Sequence, residues 1–423
     1  MRQFVPGRDV VTRDTKRFLR CVVIACSTLI FVGQSSAQES EFAWNARPIG
    51  EFAARWRGNW TPWYERWHER RERLGDSRFE FDRAVVGVAA GDGERLVARI
   101  ALLAESETAT EFTGERLPPD ERDRDVVTFR PFAAWARVTW WPTVQTEAGV
   151  IPTGWIDFSN TVWRRRFVEK TAYELWLFRR APLRKGIVAT EDRAEIRPVS
   201  VPEGRPSESD VGVALGGESP HGYLRYRLGV YAGEGLLERE TARGNAADVR
   251  LTVAPFARVE KLDGLTVSGY AWGEEIDADA GERLARISAM AHYRGERHDG
   301  RRIDIAFEAH NQFYAPHDDA DGRERIHASV FSMWCDIDVA RRTAFIGRYD
   351  HFDPDRKNGL SGSGYRDERS MFLLGAAYDF NDALSVAFDM RFVSHRAEIF
   401  NDDGETRIPK PEALPYAQIG YAF

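Results

Sequence analysis

From about residue 81 onward, apolar and charged positions alternate with a period of two. Leu96, Ala98, Ile100 and Leu102 share one face, and Arg95 and Arg99 take the other. The same division sets Leu224, Tyr226, Leu228 and Val230 against Arg225 and Arg227, and Ile303, Ile305 and Phe307 against Asp304, Glu308 and His310. Near the C-terminus it sets Leu384, Val386, Phe388, Met390 and Phe392 against Asp389 and Arg391. This pattern predicts strands that bury one face and keep one charged face. Many run about nine to twelve residues, close to what a tilted strand needs to cross a bilayer.

The links between these segments alternate in length. Short, turn-rich links are expected at 91–93, 141–143, around 184–186, and at 217–222, 261–264, 295–300, 338–341 and 381–382. Long polar links are expected at 105–125, 151–172, 198–209, 233–246, 274–282, 313–325, 352–369 and 397–413. One end of the structure then carries tight turns and the other carries loops, as in outer-membrane barrels. Counting from residue 81 gives about 17 strands, whereas a closed bacterial barrel has an even number. The expectation is therefore an all-β, closed antiparallel transmembrane β-barrel of about 16 strands, with 18 as the alternative. The odd strand comes either from an extra one before residue 80 or from one split in two.

Residues 38–80 break the period. Phe52, Trp56, Trp63, Trp67 and Leu74 recur at helical spacing, interrupted near Pro62, which predicts a short helical or irregular N-terminal segment. It either packs against the rest, lies on the membrane surface or plugs the barrel. Residues 1–37 read as a secretory signal, with Arg13, Lys16, Arg17 and Arg20 before an apolar stretch and Ser35-Ser36-Ala37 as cleavage site. A rival reading takes Val23 to Cys26 as a lipobox, but few apolar residues precede it. The barrel would then occupy 81–423.

Charged residues make up 30% of the chain, which excludes a helical membrane protein, since each span there needs about 20 apolar residues. Losing the signal, with its six basic and two acidic residues, takes the net charge from −7 to −11. An acidic chain argues against a nucleic-acid partner. It would also leave Cys335 as the lone cysteine, so no internal disulfide could form.

A soluble sandwich could also hide an alternating face, but its strands are usually shorter, about five to six residues. The C-terminal strand discriminates better: Ala417, Ile419, Tyr421 and Phe423 lie on one face, and the chain ends on Phe423. This looks like the terminal aromatic signal read by the barrel assembly machinery, with Tyr421 and Phe423 as its candidates. Trp140, Trp141, Trp176, Tyr231, Trp272, Tyr293, Tyr349, Tyr378 and Tyr421 near strand ends fit interfacial girdles, although β propensity alone also favours aromatics.

Several segments resemble the phosphate-selective porin O and P family. Residues 134–171, a strand, tight turn, second strand and aromatic-basic loop, are similar to that family's pattern. So are Asp210-Val211-Gly212-Val213 leading to the glycine-rich stretch at 226–235, and Arg348 to Pro354. The resemblance implies a 16-stranded passive channel, often a homotrimer, with loops folded inward and arginines along the path. In the selective members lysines help form the binding site. Here only Lys170, Lys185, Lys261, Lys357 and Lys410 follow the signal, so the solute is left open.

Rings of arginine in a pore favour anions and rings of carboxylates favour cations. The pore-lining candidates are Arg95, Arg99, Arg137, Arg225, Arg227, Arg250, Arg286, Asp304, Glu308, Arg348, Asp389 and Arg391. An inner wall without solute preference is the plainer reading. Loop 151–172 supplies the constriction candidates Arg164, Arg165, Arg166 and Glu169 beside Trp163. Folded inward, the three arginines would set a positive constriction; left outside, they would pair with acidic lipopolysaccharide groups or with neighbours.

The expected function is passive diffusion of small hydrophilic solutes or ions, leaning toward anions. The expected partners are outer-membrane lipids and lipopolysaccharide, with no cofactor. A structural or adhesive barrel without an open pore is the alternative. A barrel enzyme would need a nucleophile and base, and no such motif appears. The acidic stretches 318–322 and 353–359 lack the full calcium-loop spacing, and histidines 292, 298, 310, 317 and 327 do not fall at metal-ligand spacing.

Overall fold

The computed structural model describes residues 45–57, 78–92, 95–108, 125–178, 186–190, 193–197, 209–233, 245–277, 282–297, 299–315, 326–353, 368–395, 399–400, 406–407 and 412–422. Sixteen antiparallel strands close into one barrel. They are β1 (Asn45–Arg57), β2 (Arg78–Gly91), β3 (Leu96–Thr108), β4 (Asp125–Trp141), β5 (Val144–Pro152), β6 (Ser209–Glu218), β7 (Leu224–Tyr231) and β8 (Ala246–Val253). The series continues with β9 (Leu265–Asp277), β10 (Glu282–Glu296), β11 (Arg302–Ala315), β12 (Ile326–Ala340), β13 (Thr343–Asp353), β14 (Arg369–Asp379), β15 (Leu384–His395) and β16 (Glu412–Ala422). Neighbours in sequence are neighbours in the wall, and β1 pairs with β16 to close it, Glu51 opposite Ala422 and Arg57 opposite Tyr416.

The first strand lies where helical spacing predicts a helix. Phe52 and Trp56 are four residues apart, a spacing that also keeps two side chains on one face of a strand, and pairing with both β2 and β16 decides between the two. Trp63, Trp67 and Leu74 lie outside the described residues, as does the signal segment. The expected turn near 184–186 does not join two barrel strands. Gly186–Thr190 and Arg193–Arg197 pair with each other in a separate two-stranded sheet. At five residues each they are too short to span. The two long links expected at 151–172 and 198–209 are thus parts of one connection, 153–208, between β5 and β6.

The other connections keep the expected asymmetry. At one end the strands join through 92–95, 142–143, 219–223, 254–264, 297–301, 341–342 and 380–383. At the other end they join through the longer 58–77, 109–124, 153–208, 232–245, 316–325, 354–368 and 396–411, with 278–281 short because β9 and β10 extend. Register shifts occur at Ala53/Ala54 in β1 and at Ala101/Leu102 in β3, the latter opposite Pro131, which has no N–H for the ladder.

Parity sorts the faces. Val86, Ile100, Leu102, Val230, Ile287, Phe307 and Phe388 point outward, each more than half exposed, as a lipid-facing band requires. Among the girdle candidates, Trp140, Trp141, Tyr378 and Tyr421 are exposed near the turn end. Tyr231 and Trp272 instead face inward, 2% and 4% exposed, because their parity is that of the charged face. The Trp176 side chain lies outside the described residues. No helix among the described residues is long and apolar enough to cross a membrane.

Candidate functional site in the barrel lumen

Pro152 ends β5, and the chain turns into the barrel. Gly154–Val162 forms a helix, α1, whose first N–H donates to Asp248 Oδ2 on β8 at 2.9 Å. A Cβ on Gly154 would come within 2.6 Å of that carboxylate oxygen, so glycine is what lets the helix start lie on the wall. A carboxylate at this end also suits the helix dipole. Around it, Arg227 donates to the Pro152 carbonyl at 2.8 Å and to the Tyr231 hydroxyl at 2.6 Å, and that hydroxyl donates to Asp248 at 2.9 Å. Arg250 donates to the Gly154 carbonyl at 2.7 Å and stacks over Phe158.

The helix buries Trp155, Ile156, Ser159 and Val162, and keeps Asp157 and Thr161 exposed although they lie within the barrel. Trp155 packs on Tyr270 and His310, with ring centroids 5.4 and 5.7 Å away. Past the helix, Trp163 rests edge-on against Trp334 and donates its indole N–H to the Glu169 carbonyl at 2.7 Å.

The three consecutive arginines separate. Arg165 is buried and pairs with Asp336 at 3.0 Å and with Asp379 at 2.5 Å. Arg166 donates to Asn160 at 3.1 Å and to Glu174 at 2.6 Å. Arg164 is exposed, lining a cavity of about 240 Å³ with Arg83, Glu51 and Asp382. Asp336 and Asp379 sit near the turn ends of β12 and β14, whereas Asp248 sits near the loop end of β8. The connection therefore descends through most of the lumen before it returns.

On the return, Arg391 from β15 pairs with Glu169 and donates to the Val168 carbonyl, which also accepts from Gln418 Nε2 at 2.7 Å. Arg348 from β13 donates to the Lys170 carbonyl. A π-helical turn, Tyr173–Phe178, then sets Tyr173 against His310 and Tyr270. At the tip, Gly420 in β16 leaves room for Phe167; a Cβ there would meet its ring at 2.6 Å. Burial alone would push the Glu169 carboxyl up, but Arg391, with Arg55 and Arg348 behind it, outweighs burial and holds it below its ordinary value. For Arg165, burial acts to lower the group, and the hydrogen bonds and charges of Asp379 and Asp336 outweigh it and raise it above its ordinary value.

The other predicted residues fall into three positions. Arg286, Arg348 and Arg391 are buried under the inserted segment, with Asp304, Glu308 and Asp389 beside them. Asp304 is held by Arg294 at 2.6 Å and Arg302 at 2.9 Å. Glu308 is held by His310 at 3.1 Å and by the Trp334 indole at 2.7 Å. Asp389 is held by Arg391 at 2.9 Å. Arg286 donates to Gln312 at 2.8 Å.

Arg99, Arg137, Arg227 and Arg250 are half-buried. Arg137 pairs with Glu147 at 2.5 Å. Asp157 on α1 is near enough to act on the charges of both Arg99 and Arg250, whose Nε atoms are buried without a hydrogen-bond partner among the described residues. Arg95 and Arg225 are exposed at the turn end, Arg225 beside Glu218 at 3.0 Å.

Of the wall groups that fix the segment, Arg227, Arg250, Arg348 and Arg391 are pore-lining candidates, whereas Asp248, Asp336, Asp379 and Gln418 are not among the candidates and Tyr231 is one only for the girdle. Inward parity is the one signal that marks most of them. Among the described residues no group of three or more His, Cys, Asp or Glu side chains could hold a metal ion. Residues 318–322, 354–359 and Phe423 lie outside the described residues.

No family model matches the sequence, and a search of curated proteins finds no match. Solved structures do match in fold. The trimer form of OmpT from Vibrio cholerae superposes with a TM-score of 0.53 at 10% identity, over 90% of this chain and 100% of that one. An anion-selective porin from Comamonas acidovorans gives 0.52 at 10% identity, over 90% and 100%. Salmonella typhi OmpF, in complex with daunomycin, gives 0.53 at 11% identity, over 89% and 97%. The fold of this chain is that of bacterial outer-membrane barrels.

Proposed function

We propose that the chain is an outer-membrane porin, a passive channel for small hydrophilic solutes or ions that leans toward anions. The observation that carries this reading is the position of residues 153–178, the described first part of the connection between β5 and β6. It is anchored inside the barrel, yet Asp157, Thr161 and Arg164 stay solvent-exposed there, as a water-filled passage beside it requires. Arg83, Arg99, Arg137, Arg227 and Arg250 outnumber Glu51, Glu147, Asp157 and Asp248 around this space by one charge, and an excess of fixed positive charge at a constriction concentrates anions. Loops folded inward are what the resemblance to phosphate-selective porins implies. Phosphate itself gains no support. Lys170 is buried with its carbonyl held by Arg348, and Lys261 stands in a turn at the far end.

The same reading includes insertion among outer-membrane lipids and lipopolysaccharide after removal of residues 1–37, Tyr421 and Phe423 as the assembly signal, and a homotrimer. Purified protein in planar bilayers should give stable conducting steps, with a reversal potential across a salt gradient of the sign anions produce. A barrel that stays sealed at every voltage and salt concentration would instead favour a structural or adhesive barrel. The aromatic filling by Trp155, Trp163 and Tyr173 is the observation on that side.

A further inference from the structure

At the turn end, six of the seven connections are short, and 254–264 is the exception. Its backbone is a run of linked i→i+3 turns, with Val259 N–H donating to Phe256, Leu262 to Val259 and Leu265 to Leu262. Lys261 at φ 72° keeps these turns from continuing as a helix, and the apolar side chain at each turn junction is left in solvent. Phe256, Val259 and Leu262 are 40%, 46% and 43% exposed, and Leu265 continues the series onto the outward face of β9.

The segment is held on the outside of the wall. Tyr293 has the outward parity of Ile287, and its hydroxyl donates to the Lys261 carbonyl at 2.9 Å. Ala254, Ala257 and Asp263 turn the other way, toward the neighbouring 219–222 turn. Arg258, Glu260 and Lys261 are exposed, and Arg258 lies over the Tyr223 ring.

We infer that residues 254–264 form an interfacial anchor that docks on the lipid leaflet at the turn end. Phe256, Val259 and Leu262 enter the acyl boundary, and Arg258 and Lys261 engage lipid phosphates. Two observations select lipid as the occupant. The exposed apolar residues lead along the chain into the outward band, through Leu265 and Val267 on β9 with Val253 opposite Val267. Arg258 and Lys261 flank that run, with Glu260 between them, at the level where an interfacial segment meets headgroups and long basic side chains reach phosphates. The inference rests on the membrane reading proposed above.

The test uses the full chain with Cys21, Cys26 and Cys335 changed to Ser and one fluorophore-bearing cysteine at a time, in vesicles of phosphatidylglycerol and phosphatidylethanolamine. Val259→Cys and Leu262→Cys are the probes, Phe307→Cys marks the band, and Arg95→Cys marks an ordinary exposed turn. Lipids carrying a shallow spin label should quench the two probes at least about half as strongly as the band site, with iodide quenching well below that at 95. Probes that behave like position 95 while Phe307→Cys remains lipid-quenched overturn the anchor alone. A band site that lipid labels do not quench removes the membrane reading and the anchor with it. Adding Arg258→Gln and Lys261→Gln should raise quenching at 262 by the neutral quencher acrylamide about twofold or more, and unchanged quenching overturns the phosphate contact.

Discussion

Arg391 and Arg99 stand on the same inner face of one barrel, yet they do different work. Arg391 is 4% exposed, with Asp389 on its own strand, Glu169 and the Val168 carbonyl on the inserted segment, and the Tyr416 ring 3.7 Å away. Arg99 is half-buried, lies over the Phe132 ring at 5.9 Å and faces Asp157 across the remaining space. The first is held by groups of the inserted segment, while the second, under the channel reading proposed above, keeps field to offer a passing ion. The partner within reach, more than residue type or strand face, decides which role a lumen arginine takes.

The largest effect should come from the anchoring set. Arg391→Ala leaves Glu169 and Asp389 buried without their cation, a loss of about 3–5 kcal/mol. Urea unfolding and single-channel recording should show a less stable barrel with larger, noisier steps. Unchanged traces would mean that Arg391 does not restrain the segment. Arg165→Ala should cost less, about 2 kcal/mol, since Arg302 stays 3.2 Å from Asp336 and Ser385 donates to Asp379.

Acid should imitate the first variant. The Glu169 carboxyl is lowered in the folded protein, so its anchoring contribution is present at neutral pH and is lost as pH falls through that lowered value. The Glu169 contact should therefore be lost below the ordinary carboxylate range, adding channel noise there, and Glu169→Gln should show that noise already at neutral pH. On the passage side, Arg99→Gln should change stability by about 0.5 kcal/mol or less. It should still lower the anion-to-cation permeability ratio about twofold, read from reversal potentials. Arg95→Gln, at the exposed turn end, should move neither quantity measurably. A shift equal to that of Arg99→Gln would erase the distinction between mouth and passage.

Parity made the wall legible. Once Ile303, Ile305 and Phe307 are set outward, Asp304, Glu308 and His310 must point in, and they do. What parity hides is a change of level. Tyr231 and Trp272 stand near strand ends, as girdle residues do, yet they belong to the inward set and pack on each other with centroids 5.1 Å apart. The spacing of Phe52 and Trp56 satisfies helix and strand equally, so β1 is fixed by its two neighbours rather than by its own pattern. The path of connection 153–208 was the least legible part. Its anchors Asp336 and Asp379 lie far along the chain, on strands whose charges read locally as ordinary inner-wall residues.

The closing seam has a consequence for how the protein comes into being. Glu51 meets Ala422, so the wall is completed by the two ends of the barrel sequence. A nascent chain lacking β16 carries two unpaired edges, β1 and β15, each able to capture a strand from another molecule. Ring closure thus competes with clumping, and a variant truncated before Glu412 should go to aggregates or proteases.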